Sequence, residues 1–139
     1  KLVNLSLENE KIMFGGLVER DLLRLEAGLC LSGVEFGGDM DIDFKALGMD
    51  FMVGLKHRKE KNFNSDFIRS GFIGTRPIKK GKIVDQQGEE VGLITSSNKS
   101  FNLNKFIGMG YIRKDRIENK LEGIERVELP FIESNYKRK

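Results

Sequence analysis

The amino-acid sequence predicts an α+β chain in which an amphipathic helix precedes a small antiparallel β-rich unit. Two periodicities and the break between them predict this class. Val18, Leu22, Leu25 and Leu29 recur at helical spacing and form an apolar stripe. After Ile68 the pattern changes to short extended segments separated by turn residues. Between them, Lys56 to Phe67 (KHRKEKNFNSDF) is polar and charged, which marks a boundary and divides the chain into residues 1–59 and 60–139.

The elements follow in order. Residues 1–12 show a weak alternation of Leu2, Val3, Leu5 and Leu7 and read as an extended or irregular lead-in. Gly15-Gly16 precedes a helix expected from about Leu17 to Gly28, with Glu19 and Asp21 in the first turn, where carboxylates favour the helix dipole. Gly28 or Gly33 can end it. Arg20 and Arg24 lie one turn apart, on the side opposite the apolar stripe. Residues 33–42 (GVEFGGDMDI) read as a loop, and Phe44 to Leu55 as a second helix or buried segment.

In the β-rich unit, Arg69 to Ile73 is the first expected strand. Lys82–Asp85 and Glu89–Thr95 flank the turn Asp85-Gln86-Gln87-Gly88, where Gly88 can take a positive φ, and so form a hairpin. Ser96 to Asn104 reads as a loop. Phe106 to Arg113 is a strand with Ile107, Met109 and Tyr111 on one face and Gly108 and Gly110 on the other, where close approach of another backbone explains the glycines. Val127, Leu129 and Phe131 alternate in a last strand that Pro130 interrupts. Five or six such strands predict a small barrel or jelly-roll sheet.

Composition limits the chemistry. A 39% hydrophobic and 32% charged chain of 139 residues is of globular character, with no apolar run long enough for a membrane helix. The net charge of +3 is concentrated in Lys56-His57-Arg58-Lys59, Lys79-Lys80-Gly81-Lys82 and Lys137-Arg138-Lys139, a pattern that suits an anionic ligand, an acidic partner or solvated surface. His57 is the single histidine and Cys30 the single cysteine, which excludes a histidine-based metal cluster and an internal disulfide, so no metal site is expected. Cys30, amid leucines at a helix end, reads as a buried thiol rather than a nucleophile, in a reducing compartment. Gly108-Met109-Gly110 lies in a strand pattern and lacks the helix start that a dinucleotide cradle needs. The basic runs are not interleaved with aromatic platforms, so no nucleic-acid partner is expected.

Four separated segments, taken together, carry a resemblance. Glu19-Arg20-Asp21-Leu22-Leu23-Arg24-Leu25-Glu26-Ala27-Gly28-Leu29-Cys30-Leu31 is similar to the ARDSLRLEAGLCLYGND signature of the glycine cleavage system T-protein. Arg69-Ser70-Gly71-Phe72, Pro77-Ile78-Lys79-Lys80-Gly81 and Gly88 to Ser96 resemble that family's Arg-Val-Gly-Leu, Pro-Ala-Arg-Glu-Gly and Gly-x-x-Ile-Gly-x-Val-Thr-Ser stretches. Ser100 to Ile112 resembles Ser-Pro-Ser-Leu-x-x-x-Ile-Ala-Met-Gly-Tyr-Val, and Leu129 to Tyr136 resembles Met-Pro-Phe-Val-Pro-Thr-Asn-Tyr. The resemblance implies the end of a folate-binding T-protein α/β domain followed by a distorted antiparallel β-barrel.

It also implies a function. The T-protein is an aminomethyltransferase that takes an aminomethyl group carried on lipoylated H-protein, transfers its methylene to tetrahydrofolate and releases ammonia. By resemblance Arg20 matches a folate-contacting arginine, and Arg69 and Tyr136 match residues near the glutamate tail. For Arg20 the alternative is a salt bridge, and for Arg69 and Tyr136 ordinary surface; Arg24 is expected to hold the helix to neighbouring chain. Gly28, Gly92, Gly108 and Gly110 are expected to serve backbone fit.

The family's catalytic aspartate and pterin-binding glutamate belong to its N-terminal two-thirds, so no catalytic residue is expected here. The chain reads as a fragment of a full enzyme or as a truncated relative. Lys79 stands where the family's turn carries arginine, and the loops after the signature helix are shortened. A noncatalytic folate- or protein-binding module and a folate-dependent demethylase are the alternatives. The Lys-Gly-Cys-Tyr-x-Gly-Gln motif of the iron–sulfur assembly paralogue is absent. The resemblance leans toward the mitochondrial matrix, with a bacterial cytoplasm as the other setting.

Overall fold

Glu19 begins the first described element by reaching back: its carboxylate accepts a hydrogen bond from the Gly16 backbone N–H at 2.7 Å, satisfying a donor at the start of the helix. In the computed structural model, which describes residues 15–36, 47–48 and 66–133, this helix, α1, spans Leu17–Glu26. It ends two residues before the expected boundary. The Gly28 N–H donates to the Leu25 carbonyl at 2.9 Å and the Leu29 N–H to the Arg24 carbonyl at 2.7 Å, the paired bonds of a Schellman termination. That closure puts Gly28 at φ 65°, a left-handed conformation that costs a side-chain-bearing residue.

The expected apolar stripe is only half used. Leu25 is fully buried and Leu22 partly so, but Val18 is 68% exposed and Leu29, beyond the helix end, 59% exposed. The Schellman turn carries Leu29 off the helical spiral, so its spacing no longer defines a face.

Five antiparallel strands form one sheet in the order β2-β3-β4-β1-β5: β1 Phe67–Gly74, β2 Gly81–Val84, β3 Glu90–Ser100, β4 Lys105–Arg113 and β5 Glu125–Val127. Within the described residues the sheet is not closed, as in a distorted barrel. The hairpin between β2 and β3 turns where expected: Gly88 has φ 83°, and its N–H donates to the Asp85 carbonyl at 3.0 Å. Gly92 and Gly110 on the adjacent β3 and β4 could not carry side chains. A Cβ at Gly110 would lie 2.0 Å from the Leu93 carbonyl oxygen, and one at Gly92 would lie 2.2 Å from that of Tyr111.

Two sequence expectations are corrected. Ser96 to Asn104 is not all loop; β3 continues through Ser100, with a register shift between Ile94 and Ser96, and only residues 101–104 turn. Polar residues hid the strand because its helix-facing hydroxyls bond buried carboxylates. The last strand is also shorter than the alternation to Phe131 implies, because after Val127 the chain leaves β1 and packs Leu129 and Phe131 beneath α1. The lead-in over residues 1–12, the boundary near residue 60 and Tyr136 lie outside the described residues, as does the segment 44–55 apart from Leu47 and Gly48.

The sheet is packed on both faces. Phe72, Ile83, Val91, Ile94, Ile112 and Leu121 form an aliphatic and aromatic cluster. On the other side Leu25 of α1 packs with Ile107 and Met109 of β4. Complete burial of a leucine contributes about 1.5–3 kcal/mol, enough to seat a ten-residue helix only with further contacts.

Candidate functional site

Those further contacts form where α1 and the turn after it meet β3 and β4. Arg24 organises one station. Its Nε donates to Asp21 Oδ1 at 2.7 Å, Nη1 to Glu35 Oε2 at 2.9 Å and to the Leu29 carbonyl at 3.3 Å, and Nη2 to Ser96 Oγ at 2.8 Å. Glu35 is wholly buried. It also receives the Leu31 N–H at 2.8 Å and the Ser96 hydroxyl, while the Thr95 hydroxyl shares its proton between Glu35 Oε1 at 3.1 Å and the Met109 carbonyl at 2.9 Å. Tyr111 donates its hydroxyl to the Glu35 carbonyl at 2.6 Å. Burial pushes the Tyr111 phenol well above its ordinary pKa, with Cys30 and Glu35 adding to the effect, so it remains a donor.

Glu26 organises a second station one helical turn away from Leu22. Ser100 donates to Glu26 Oε1 at 2.5 Å and Asn102 Nδ2 to Oε2 at 2.9 Å, and Ser100 Oγ accepts the Leu103 N–H at 3.1 Å. The sequence contained a signal for this station. A carboxylate in the last turn opposes the helix dipole, so Glu26 at that place calls for a tertiary partner. Glu35, by contrast, sits in an acidic, glycine-rich stretch and carried no signal of burial.

The residues expected to hold ligand fall in different surroundings. Arg20 is exposed on α1, and its guanidinium makes no hydrogen bond or ion pair with the described residues. Arg24, equivalent by spacing, is the one that ties the helix down, as expected. Arg69 on β1 is half-buried: Nη1 donates to the Gly28 carbonyl and contacts Cys30 Sγ at 3.3 Å and Met109 Sδ at 3.6 Å. It also lines a cleft of about 300 Å3 with Gly48, Ser70, Arg126 and Leu129. Burial raises the Cys30 thiol pKa, and the nearby Arg69 only partly offsets that, which disfavours the thiolate.

Glu26, Glu35 and Asp85, the buried carboxylates among the described residues, are all engaged by hydrogen-bond donors. Within the same residues, no group of three or more His, Cys, Asp or Glu could hold a metal ion, and no helix is long and apolar enough to cross a membrane. The arrangement therefore offers arginine donors at an exposed helix face and a cleft, held by a rigid polar scaffold.

Comparison with known proteins decides the relationship. Residues 70–131 match the family model of the glycine cleavage T-protein C-terminal barrel domain. The chain is 33% identical to an aminomethyltransferase from Thermosipho melanesiensis, across 100% of this chain and 42% of that protein. The chain carries a T-protein C-terminal portion. A mitochondrial aminomethyltransferase from Flaveria trinervia is 35% identical over 74% of this chain and 28% of its own length. The crystal structure of the glycine cleavage system aminomethyltransferase T from Bartonella henselae superposes with a TM-score of 0.68 at 25% identity, covering 94% of this chain and 43% of that one. This T-protein portion thus spans less than half the length of these relatives.

Proposed function

We propose that this T-protein portion forms one wall of a tetrahydrofolate site in an aminomethyltransferase of the glycine cleavage system. Residues 1–59 would complete the second domain of that enzyme and residues 60–139 its terminal barrel. In this reaction the methylene of an aminomethyl group on lipoylated H-protein passes to tetrahydrofolate, and ammonia leaves. The folate supplies the one-carbon acceptor.

Arg20 carries the reading. It lies in the segment with the longest resemblance to the T-protein signature, on the exposed side of α1, with its donor fork unused by the described residues. A planar fork of five N–H donors suits a carboxylate or a pterin edge. Arg69 supports the same wall from the cleft it lines, and Tyr136 is assigned with it by motif. The reading leaves proton chemistry to the N-terminal two-thirds of such an enzyme, where the family's catalytic aspartate lies; Glu26, Glu35 and Asp85 here serve structure. The mitochondrial name of the Flaveria relative and the free Cys30 favour the matrix, and the Thermosipho relative favours a bacterial cytoplasm.

Calorimetric titration with tetrahydrofolate tests the proposal. Arg20→Ala should weaken binding about tenfold, equivalent to about 1.4 kcal/mol, with the melting temperature kept. Equal loss of folding would return Arg20 to a structural role. The enzyme assignment is lost if the chain joined to the N-terminal portion of a relative neither binds folate nor supports H-protein-dependent methylene transfer. Turnover without H-protein would indicate a demethylase, and binding without turnover a noncatalytic module.

A further inference from the structure

Two opposite charges stand unpaired at one end of the sheet, and neither belongs to the folate wall. Lys105 opens β4 and Glu125 opens β5, and these strands flank β1 on its two sides. Ile73 of β1 pairs with Ile107 on one side and with Glu125 on the other. Lys105 lies two residues before Ile107, so the pleat sends Lys105, Ile73 and Glu125 to the same face. Two strand spacings, about 9–10 Å, keep the backbones of the charged residues apart. Both residues are exposed, and neither side chain makes a hydrogen bond or ion pair with the described residues.

A cleft of about 300 Å3 has both charges in its lining, with Ile73, Leu121 and Ile124 as apolar walls and Thr75 supplying a hydroxyl. The walls are part of the fold. Leu121 belongs to the core on the face away from α1, Ile124 packs against that core, and Ile73 packs against the cluster beneath α1. The strands that carry Lys105 and Glu125 are both hydrogen-bonded to β1, so the spacing of the two charges is set before any ligand arrives.

We propose that this cleft binds a free aliphatic α-amino acid, with its carboxylate on Lys105 and Thr75, its ammonium on Glu125 and its side chain against Ile73, Leu121 and Ile124. Such a molecule carries an anion, a cation and an apolar group on one carbon, which complements a lining of one cation, one anion and aliphatic walls. A volume at the bottom of the roughly 300–1,000 Å3 of small-molecule sites suits a ligand of that size rather than a cofactor. Other ligands fit less well: Glu125 opposes a phosphate, one carboxylate is too few for a divalent cation, and an internal peptide segment carries neither backbone charge. Exposed charge pairs are individually weak, so the expected Kd is about 1 mM. The inference stands apart from the folate proposal, which rests on other residues.

Titration of the full chain with L-leucine, followed by amide chemical shifts in a nitrogen–proton correlation spectrum, tests it. Saturable shifts should gather at Thr75, Lys105 and Glu125. Lys105→Met and Glu125→Gln should each weaken binding about tenfold, since each removes one of the two charge contacts, while Lys114→Met, at the opposite end of β1 beside Asp66, should bind as the wild type does. N-acetyl-leucine lacks the ammonium, 3-methylbutylamine the carboxylate and glycine the side chain; each should bind the wild type at least about tenfold more weakly than leucine. These three ligands give the same readout on the unaltered chain should a variant misfold. Absence of saturable shifts at those residues, undiminished binding by a folded Lys105→Met or Glu125→Gln, or binding of any of the three analogues as tight as that of leucine overturns the proposal. Tetrahydrofolate titration of Lys105→Met should match the wild type, so this proposal and the folate reading fail separately.

Discussion

The two faces of the sheet are held by different physics. The face away from α1 is closed mainly by apolar contact among Phe72, Ile83, Ile94 and Ile112, whereas the helix-bearing face inserts Glu35 and Glu26 between helix and strand and satisfies them with Arg24, Ser96 and Ser100. Apolar packing is tolerant of direction; buried carboxylates are not. Each needs donors at fixed places, so the polar face determines where α1 sits and leaves Arg20 outward while Arg24 points inward.

The strongest way to break this contrast is Glu35→Ala. It removes the buried carboxylate that pairs with Arg24 and leaves the Leu31 N–H without its acceptor, with an expected loss of about 3–5 kcal/mol in urea unfolding. Phe72→Ala should cost a similar ~3–5 kcal/mol by leaving a cavity. The faces then separate in the double variants. Arg24→Met/Glu35→Leu should recover much of the single-variant loss, since both charges leave together, while no second truncation rescues Phe72→Ala. If the paired replacement is as damaging as the sum of its parts, the ion pair is not the unit that holds this face.

Ser100→Ala removes one of the donors to Glu26 and should cost about 1–3 kcal/mol, with Asn102 left to hold the other oxygen. Asp85 sharpens the comparison through pH. Burial pushes its carboxyl up, but the Glu89 N–H, the Asn119 amide, the Gln87 N–H and Arg116 together hold it below the ordinary 3.8. A depressed folded-state pKa stabilises the fold above the unfolded value and loses that contribution as pH falls through the folded one. The stability gap between wild type and Asp85→Asn should therefore narrow below about pH 4 and be steady at neutral pH; a constant gap across that range would remove the carboxylate from the account. Arg20→Ala should have the smallest effect on folding, within about 0.5 kcal/mol, in contrast to Arg24→Ala in the same helix.

Much of the fold was legible because its signals are local. The Asp85 to Gly88 turn, the glycines of β4 opposite Ile107 and Met109, and the Leu22–Leu25 spacing each act within a few residues. The site was less legible. Ser96 and Ser100 look like loop residues until Glu35 and Glu26 arrive from 61 and 74 positions away in the chain. Leu29 looks like helix stripe until the Gly28 termination turns it outward.

By itself the sequence determined the order of helix and strands, the hairpin turn and the T-protein resemblance, since these depend on backbone preferences, side-chain period and motif order. Only the tertiary structure decided which arginine of the α1 pair is structural and how far β3 extends. These depend on which distant groups share a low-dielectric interior, and a buried charge is tolerated only where the folded chain brings donors to it.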